Sequence, residues 1–156
     1  MNKRNLWIFD IDGTLANNLH RIKHLTQNTT KDWDAFFAAQ DKDEPYEAVM
    51  HLMNTLHKTG DKVIVITARD ERFREVTLRW LKWHCNFDFS DGDLFMRGRG
   101  DRTDDDKIKL DILNEYLAVA PWYKVMGVFE DRHRVIDAWR DAGYYVFECN
   151  QDRAEF

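Results

Sequence analysis

The chain has 156 residues, 44% of them apolar, with six Trp, ten Phe and a formal net charge of −5. That length suits one domain with a single sizeable core. The composition excludes a disordered chain, no apolar run reaches the length of a membrane-spanning helix, and the acidic balance argues against a non-specific nucleic-acid binder, whose phosphate contacts need Lys and Arg.

The opening "MNKRNLWIF" is basic and then apolar, but Asp10 and Asp12 interrupt it too soon for an export signal. Two cysteines, Cys85 and Cys149, make neither a disulfide framework nor a zinc spacing, so the expected setting is a reducing cytoplasm. "NLWIF" predicts a buried strand that ends at Asp10. From Gly13 to Lys31 there is no Asp or Glu, while Arg21, Lys23, Lys31, His20 and His24 make the stretch basic. "TKDWDAFFAAQ" predicts a short helix capped by Thr30 or Asp32. "PYEAVMHLMNTLHKTG" predicts a longer one, with Pro45 in its first turn and Gly60 at its end.

"KVIVI", Lys62 to Ile66, is a β-branched run of the kind buried on both faces of a parallel sheet. A helix over "ERFREVTLRWLKWHC", a short strand at "DLFM" and a helix over "DDKIKLDILNEYL" follow. "YKVMGVFE" is a strand, "RHRVIDAWRDAG" a helix closed by Gly143, and "YYVFEC" a last strand. Alternating strands and helices predict one α/β domain with a mostly parallel sheet flanked by helices. The interval between the first strand and "KVIVI" is too long for an ordinary βα connection. It predicts a small helical cap inserted over about residues 16–44.

In a parallel α/β sheet, ligands sit at the carboxyl ends of the strands. Asp10, Thr67 and Glu130-Asp131 each close a predicted strand. Asp10, Asp12, Glu130 and Asp131 would then converge and repel one another unless a hard cation such as Mg²⁺ neutralised them. Thr67, Arg69 and Lys109 supply donors for phosphoryl oxygens. The chemistry this set suits is phosphoryl transfer through an aspartyl-phosphate: Asp10 attacks phosphorus, and Asp12 protonates the leaving oxygen and later deprotonates water.

"DIDGTL" at Asp10, "VIVITAR" with Thr67 and "GVFED" with Glu130 and Asp131 resemble the motifs of the haloacid dehalogenase superfamily of phosphatases. Nearly the whole chain is similar to the 3′-phosphatase domain of bacteriophage polynucleotide kinase-phosphatases, including Arg21, Arg69, the stretch from Arg102 to Lys109 and "EDRHRVIDAWRDAG". The resemblance implies Asp10 as nucleophile, Asp12 as general acid/base, Thr67 as a phosphate ligand and Lys109 as the active-site lysine, with Lys107 the alternative. It also implies Arg21, Arg69 and Arg102 on the substrate, Asp105 steadying the lysine region, and Mg²⁺ on Asp10, Asp12, Asp131 and Glu130. Where relatives carry Asp-Asp, this chain carries Glu130-Asp131. None of the seven Gly is followed by Lys, so the chain has no kinase phosphate loop. The expected substrate is a 3′-phosphorylated polynucleotide end or nucleotide. The alternatives are a 5′-nucleotidase and, in another class, a non-catalytic binding module. Neither membrane association nor any particular protein partner is indicated.

A calcium-loop reading of Asp10 and Asp12 fails, because positions six and twelve hold Leu15 and Arg21 instead of Gly and Glu. A receiver-domain acid pocket fits the Gly13-Thr14 turn and the order of the later motifs less well. His20 and His24 have helical zinc spacing but no third ligand, and are expected to be ordinary cap residues. "RGRGD", Arg97 to Asp101, either contacts a nucleic-acid backbone or pairs with Asp101 and Asp104 to Asp106. Trp80, Trp83 and Trp139 are expected in the core.

Overall fold

The computed structural model describes residues 2–27 and 29–152. Five parallel strands form the central sheet: β1 (Arg4–Phe9), β4 (Lys62–Asp70), β5 (Leu94–Arg97), β6 (Tyr123–Glu130) and β7 (Val146–Glu148). Their order is β5-β4-β1-β6-β7, so the first strand lies at the centre between β4 and β6. The expected α/β architecture is the one found.

Side-chain alternation explains why the strand sequences are continuously apolar. Val63 and Val65 face one layer, together with Phe9, and meet Met50, Met53, Trp80 and Leu81. Those residues come from α3 (Glu47–Lys58) and α4 (Arg74–His84). Ile64 and Ile66 face the other layer, with Leu6 and Ile8, and meet Leu113, Val135, Ile136 and Trp139 from α5 (Asp105–Val119) and α6 (His133–Asp141). A strand covered on both faces has no polar side to present. Near its middle β6 carries Gly127. A methyl group there would lie 2.8 Å from the Phe147 ring and 3.0 Å from Trp7, so the glycine lets two aromatic rings close over the strand.

Between Leu15 and Tyr46 the chain leaves the sheet. A two-residue ribbon, β2 (Ala16–Asn17) against β3 (Glu44–Pro45), closes the base of the excursion. Within it stand α1 (Leu19–Thr26) and α2 (Trp33–Ala38), the second capped by Asp32, whose side chain accepts from Ala35 N at 3.0 Å.

Three expectations need correction. Pro45 pairs in the ribbon instead of opening α3, which suits an edge position where no ring-nitrogen donor is needed. β4 runs past Ile66 to Asp70, because Asp70 still pairs with Arg97 beyond a register shift. Trp83 is 82% exposed, unlike Trp80 and Trp139, because it falls on the outer face of α4. Among the described residues no helix is long and apolar enough to cross a membrane, and both cysteines are free.

Candidate active site

Parallel register brings the acids to one edge. Phe9 is paired with Val65 on one side and with Phe129 on the other. The residues that follow, Asp10, Ile66-Thr67 and Glu130-Asp131, therefore emerge at the same level. Asp10 N donates to Phe129 O at 3.0 Å, which holds the first acid beside the third strand. Oxygen atoms of Asp10, Glu130 and Asp131, all buried, lie within 4.8 Å of one another.

After Asp10 the chain must turn at once. Thr14, Leu15 and Ala16 N all donate to Ile11 O at 2.9–3.0 Å, and Gly13 sits at φ +82°. A methyl group on Gly13 would stand 2.0 Å from Asp131 Oδ2. Gly13 thus supplies both a left-handed backbone and the space for Asp131. We expect Gly13→Ala to cost about 1–3 kcal/mol of stability and to displace Asp131. Chemical denaturation and metal titration check this; a variant with wild-type values for both would contradict it.

Lys109 enters from the first turns of α5. Its Nζ donates to Asp10 Oδ1 at 2.8 Å and to Glu130 Oε2 at 2.7 Å, and only 3% of the residue is exposed. Lys107, two positions earlier, is exposed on the other side of the helix. The second oxygen of Glu130 accepts from the backbone N–H of Asp131 and Arg132. Burial would lower the lysine's proton affinity, but Asp10 and Glu130 outweigh it and keep Nζ charged. Burial opposes ionisation of Glu130 too, yet Lys109 holds it below the usual carboxylate range. Asp10 goes the other way: burial, then Glu130, push it up to about 7 against the pull of Lys109. Asp131 is raised well above its ordinary value by burial, Asp10 and Glu130. The cluster holds three acids to one base and resists full ionisation on its own.

The Asp12 carboxylate does not join this cluster of side chains. Arg69 grips it with Nε to Oδ2 at 3.0 Å and Nη2 to Oδ1 at 2.7 Å, and Arg21 Nη2 reaches Oδ1 at 2.6 Å. Burial would raise the Asp12 carboxyl, but the guanidinium groups of Arg69 and Arg21 hold it well below the ordinary range.

The same contacts tie Arg21 and Arg69, both expected on the substrate phosphate, to Asp12. Both are at most 1% exposed. Arg21 also donates from Nε and Nη2 to Asp43 and from Nη1 to Phe36 O. The remaining donors of Arg69 go to Gln40, Thr77 and Asp43. With their N–H groups committed to Asp12 and the residues behind it, these arginines orient the acid, and Arg69 also lines the cleft that opens there.

Sequence reasoning missed Asp43 and Gln40, buried polar residues of the excursion that complete this network. Their one signal was polarity in a segment that had to pack against the sheet edge. His20 Nε2 lies 2.7 Å from Asp43 Oδ1, so this histidine belongs to the network; it is in no metal cluster among the described residues.

A cleft of about 820 Å³ opens in front of Asp10, Asp12, Thr67 and Lys109. Trp33, Phe36 and Phe37 line one part of it, and Arg72, Arg99, Arg102, Arg132 and Arg134 another. Thr67 is 1% exposed and accepts from Arg69 N at 3.2 Å. Asp105 reaches Arg97 and Arg132 instead of the lysine, and so fixes the start of α5. Arg102 is exposed at the mouth.

A family profile described as the polynucleotide kinase PNKP phosphatase domain matches residues 4–153. A candidate bifunctional polynucleotide kinase/RNA ligase of Autographa californica nuclear polyhedrosis virus is 30% identical over 149 residues, 94% of this chain and 20% of that protein. A chain of the Pnkp1/Rnl/Hen1 RNA repair complex superposes with a TM-score of 0.75 at 26% identity, over 94% of this chain and 42% of that one. The class C acid phosphatase from Bacillus anthracis shares the fold, with a TM-score of 0.67 at 12% identity, over 96% of this chain and 68% of that one. This chain spans about a fifth of the curated relative and less than half of the repair-complex chain. With the profile matching nearly end to end and the parallel sheet carrying its acids at the strand tips, the chain belongs to the PNKP phosphatase-domain family, a phosphatase of the haloacid dehalogenase type.

Proposed function

We propose that this chain removes the phosphate from the 3′ end of a polynucleotide through an aspartyl-phosphate on Asp10, with Mg²⁺ held by Asp10, Asp131 and Glu130, in a reducing cytoplasmic setting. One observation carries the chemistry: a buried cluster of three carboxylates and one ammonium, whose Asp10 and Lys109 line a cleft. Its excess of acid is what a hard divalent cation neutralises, and oxygen donors suit Mg²⁺. When bound there, the cation offsets the charge of the phosphoryl oxygens.

Lys109 occupies Asp10 Oδ1, which leaves Oδ2 to attack phosphorus. The new Oδ2–P bond forms as the ester P–O bond breaks, and the leaving alkoxide takes a proton from Asp12. Asp12 then takes a proton from water, whose oxygen attacks phosphorus and releases Asp10 with inorganic phosphate. The two arginines hold Asp12 ionised at rest, as the second half requires. A phosphate dianion arriving beside it raises its proton affinity for the first half. Thr67 donates to a phosphoryl oxygen, and the excursion over residues 16–45 acts as a cap that carries Trp33 and Phe37 to the cleft.

The 3′-end assignment is supported by the family profile and by a cleft far larger than a phosphate, with arginines and aromatic rings on its walls. Comparing kcat/KM for 3′-phosphorylated oligonucleotides, 3′-mononucleotides and 5′-mononucleotides tests it. The oligonucleotides should lead; a lead for 5′-mononucleotides by orders of magnitude would make the chain a nucleotidase.

EDTA should abolish phosphate release and Mg²⁺ restore it. Because burial and Glu130 push Asp10 up to about 7, a cation that needs its carboxylate should displace its proton, and Mg²⁺ should bind about tenfold tighter per pH unit between pH 5 and 7 for that proton. Calorimetry in buffers of different ionisation enthalpy measures that release. A pH-independent affinity with no proton release would contradict it.

A further inference from the structure

The turn between β5 and α5, residues 98–104, is unusually well fixed for an exposed loop. Arg97 Nη1 donates to the carbonyls of Asp101 and Thr103. Gly100 N donates to Asp70 Oδ2 at 3.1 Å, and Thr103 N to Asp101 Oδ1 at 2.9 Å. This loop projects Arg99 and Arg102 into the cleft that holds Asp10.

Every carboxylate close by in sequence is engaged elsewhere. Asp104 and Asp106 pair with Arg134, at 2.8 and 3.1 Å. Asp105 is shared by Arg97 and Arg132, Asp70 is taken by Arg72 and Gly100 N, and Asp101 by Thr103 N. Arg99 and Arg102 are both exposed and have no hydrogen bond or ion pair among the described residues. Of the two readings of "RGRGD", pairing with the local acids describes Arg97 but not Arg99, and Arg102, just beyond the motif, is likewise unpaired among the described residues. A segment whose acids balance its bases has used those acids to brace the loop and left two guanidinium groups lining the cleft.

Resting on the reading given under Proposed function, we propose that Arg99 and Arg102 form a second anion site, separate from the reacting phosphate, for the internucleotide phosphodiesters next to the 3′ end. The cleft has the volume for this: about 820 Å³ leaves room for a nucleotide beyond the phosphate at Asp10. Planar guanidinium groups on a fixed backbone match phosphate oxygens with little ordering required on binding. The consequence is selectivity by length. A mononucleotide fills the catalytic end alone, whereas an oligonucleotide engages both ends of the cleft.

The test is kcat/KM for a series of 3′-phosphorylated mono-, di- and trinucleotides and a decamer, with wild type and with the double variant Arg99→Ala/Arg102→Ala. Wild type should gain at least tenfold from mononucleotide to trinucleotide. The variant should lose at least tenfold more on the decamer than on the mononucleotide, mainly through KM. Its slope of log kcat/KM against log salt on the decamer should flatten by ~1.4, from about 0.7 for each single-strand phosphate contact. Equal losses at every length, or no gain with length in wild type, would overturn the proposal. Charge-retaining Arg99→Lys/Arg102→Lys should recover much of the salt slope; a slope as flat as that of the alanine variant would count against a phosphate contact. If wild type fails to act on any 3′-phosphorylated oligonucleotide, the proposed function itself falls. If it acts and the alanine variant matches it, only the second anion site does.

Discussion

Asp10→Asn is expected to lower kcat for phosphate release by at least about 10⁴-fold while leaving the fold intact. An amide oxygen is too weak a nucleophile to capture phosphorus, and the covalent route is the one the site supports. The same substitution should change stability in a direction that looks odd for a buried residue. In the metal-free protein the Asp10 carboxyl is raised from 3.8 to about 7, chiefly by burial. Between those values the folded state holds a proton that the unfolded state has released, so folding stability falls as pH rises through that window. Asparagine does not titrate. In EDTA at pH 8 the variant should therefore melt above wild type, and the advantage should disappear at pH 4, where Asp10 is protonated when folded. Inactive variant and wild type sharing one pH–stability curve would mean that Asp10 is not held in the environment described.

The second large effect concerns Arg69. Arg69→Ala leaves half-buried Asp12 and buried Asp43 sharing Arg21, and removing one partner from such a network typically destabilises by about 3 kcal/mol. Arg69→Lys keeps a charge but cannot reproduce five N–H donors in a fixed plane. This variant should fold well enough to assay. Because Arg69 holds Asp12 from behind, Arg69→Lys should reduce kcat by about 10²–10³-fold and change KM by no more than a few-fold. If Arg69 instead bound the substrate phosphate, KM would carry most of the loss. Steady-state kinetics on one 3′-phosphorylated oligonucleotide separates the two.

These two residues also show what the amino-acid sequence could reveal. Asp10, Thr67, Glu130 and Asp131 were legible because each closes an apolar run, and a parallel register leaves such residues at one edge. Lys109 over Lys107 rested on the spacing from Asp105 that the family resemblance supplies; the structure adds the physical reason, since Lys109 and Leu113, four residues on, are both buried while Lys107 is exposed. The direction of Arg21 and Arg69 was not legible. A charged residue near an acidic motif looks the same whether it faces the ligand or stands behind an acid, and only the positions of Asp43, Gln40 and Thr77 decide it. Strands of two residues, such as β2 and β3, carry no periodic signal, which is why Pro45 was misread. Trp83 was misplaced for a related reason: Trp80 and Trp83 sit at helical spacing, but only Trp80 reaches the core.

The central claim is that phosphorus passes through Asp10. Wild-type protein turning over a 3′-phosphorylated oligonucleotide in Mg²⁺, quenched within the first turnover and treated with borohydride, should yield homoserine at position 10 when its peptides are sequenced by mass spectrometry. Full phosphate release with residue 10 still aspartate, or with the modification on Asp12 or Asp131, would contradict it.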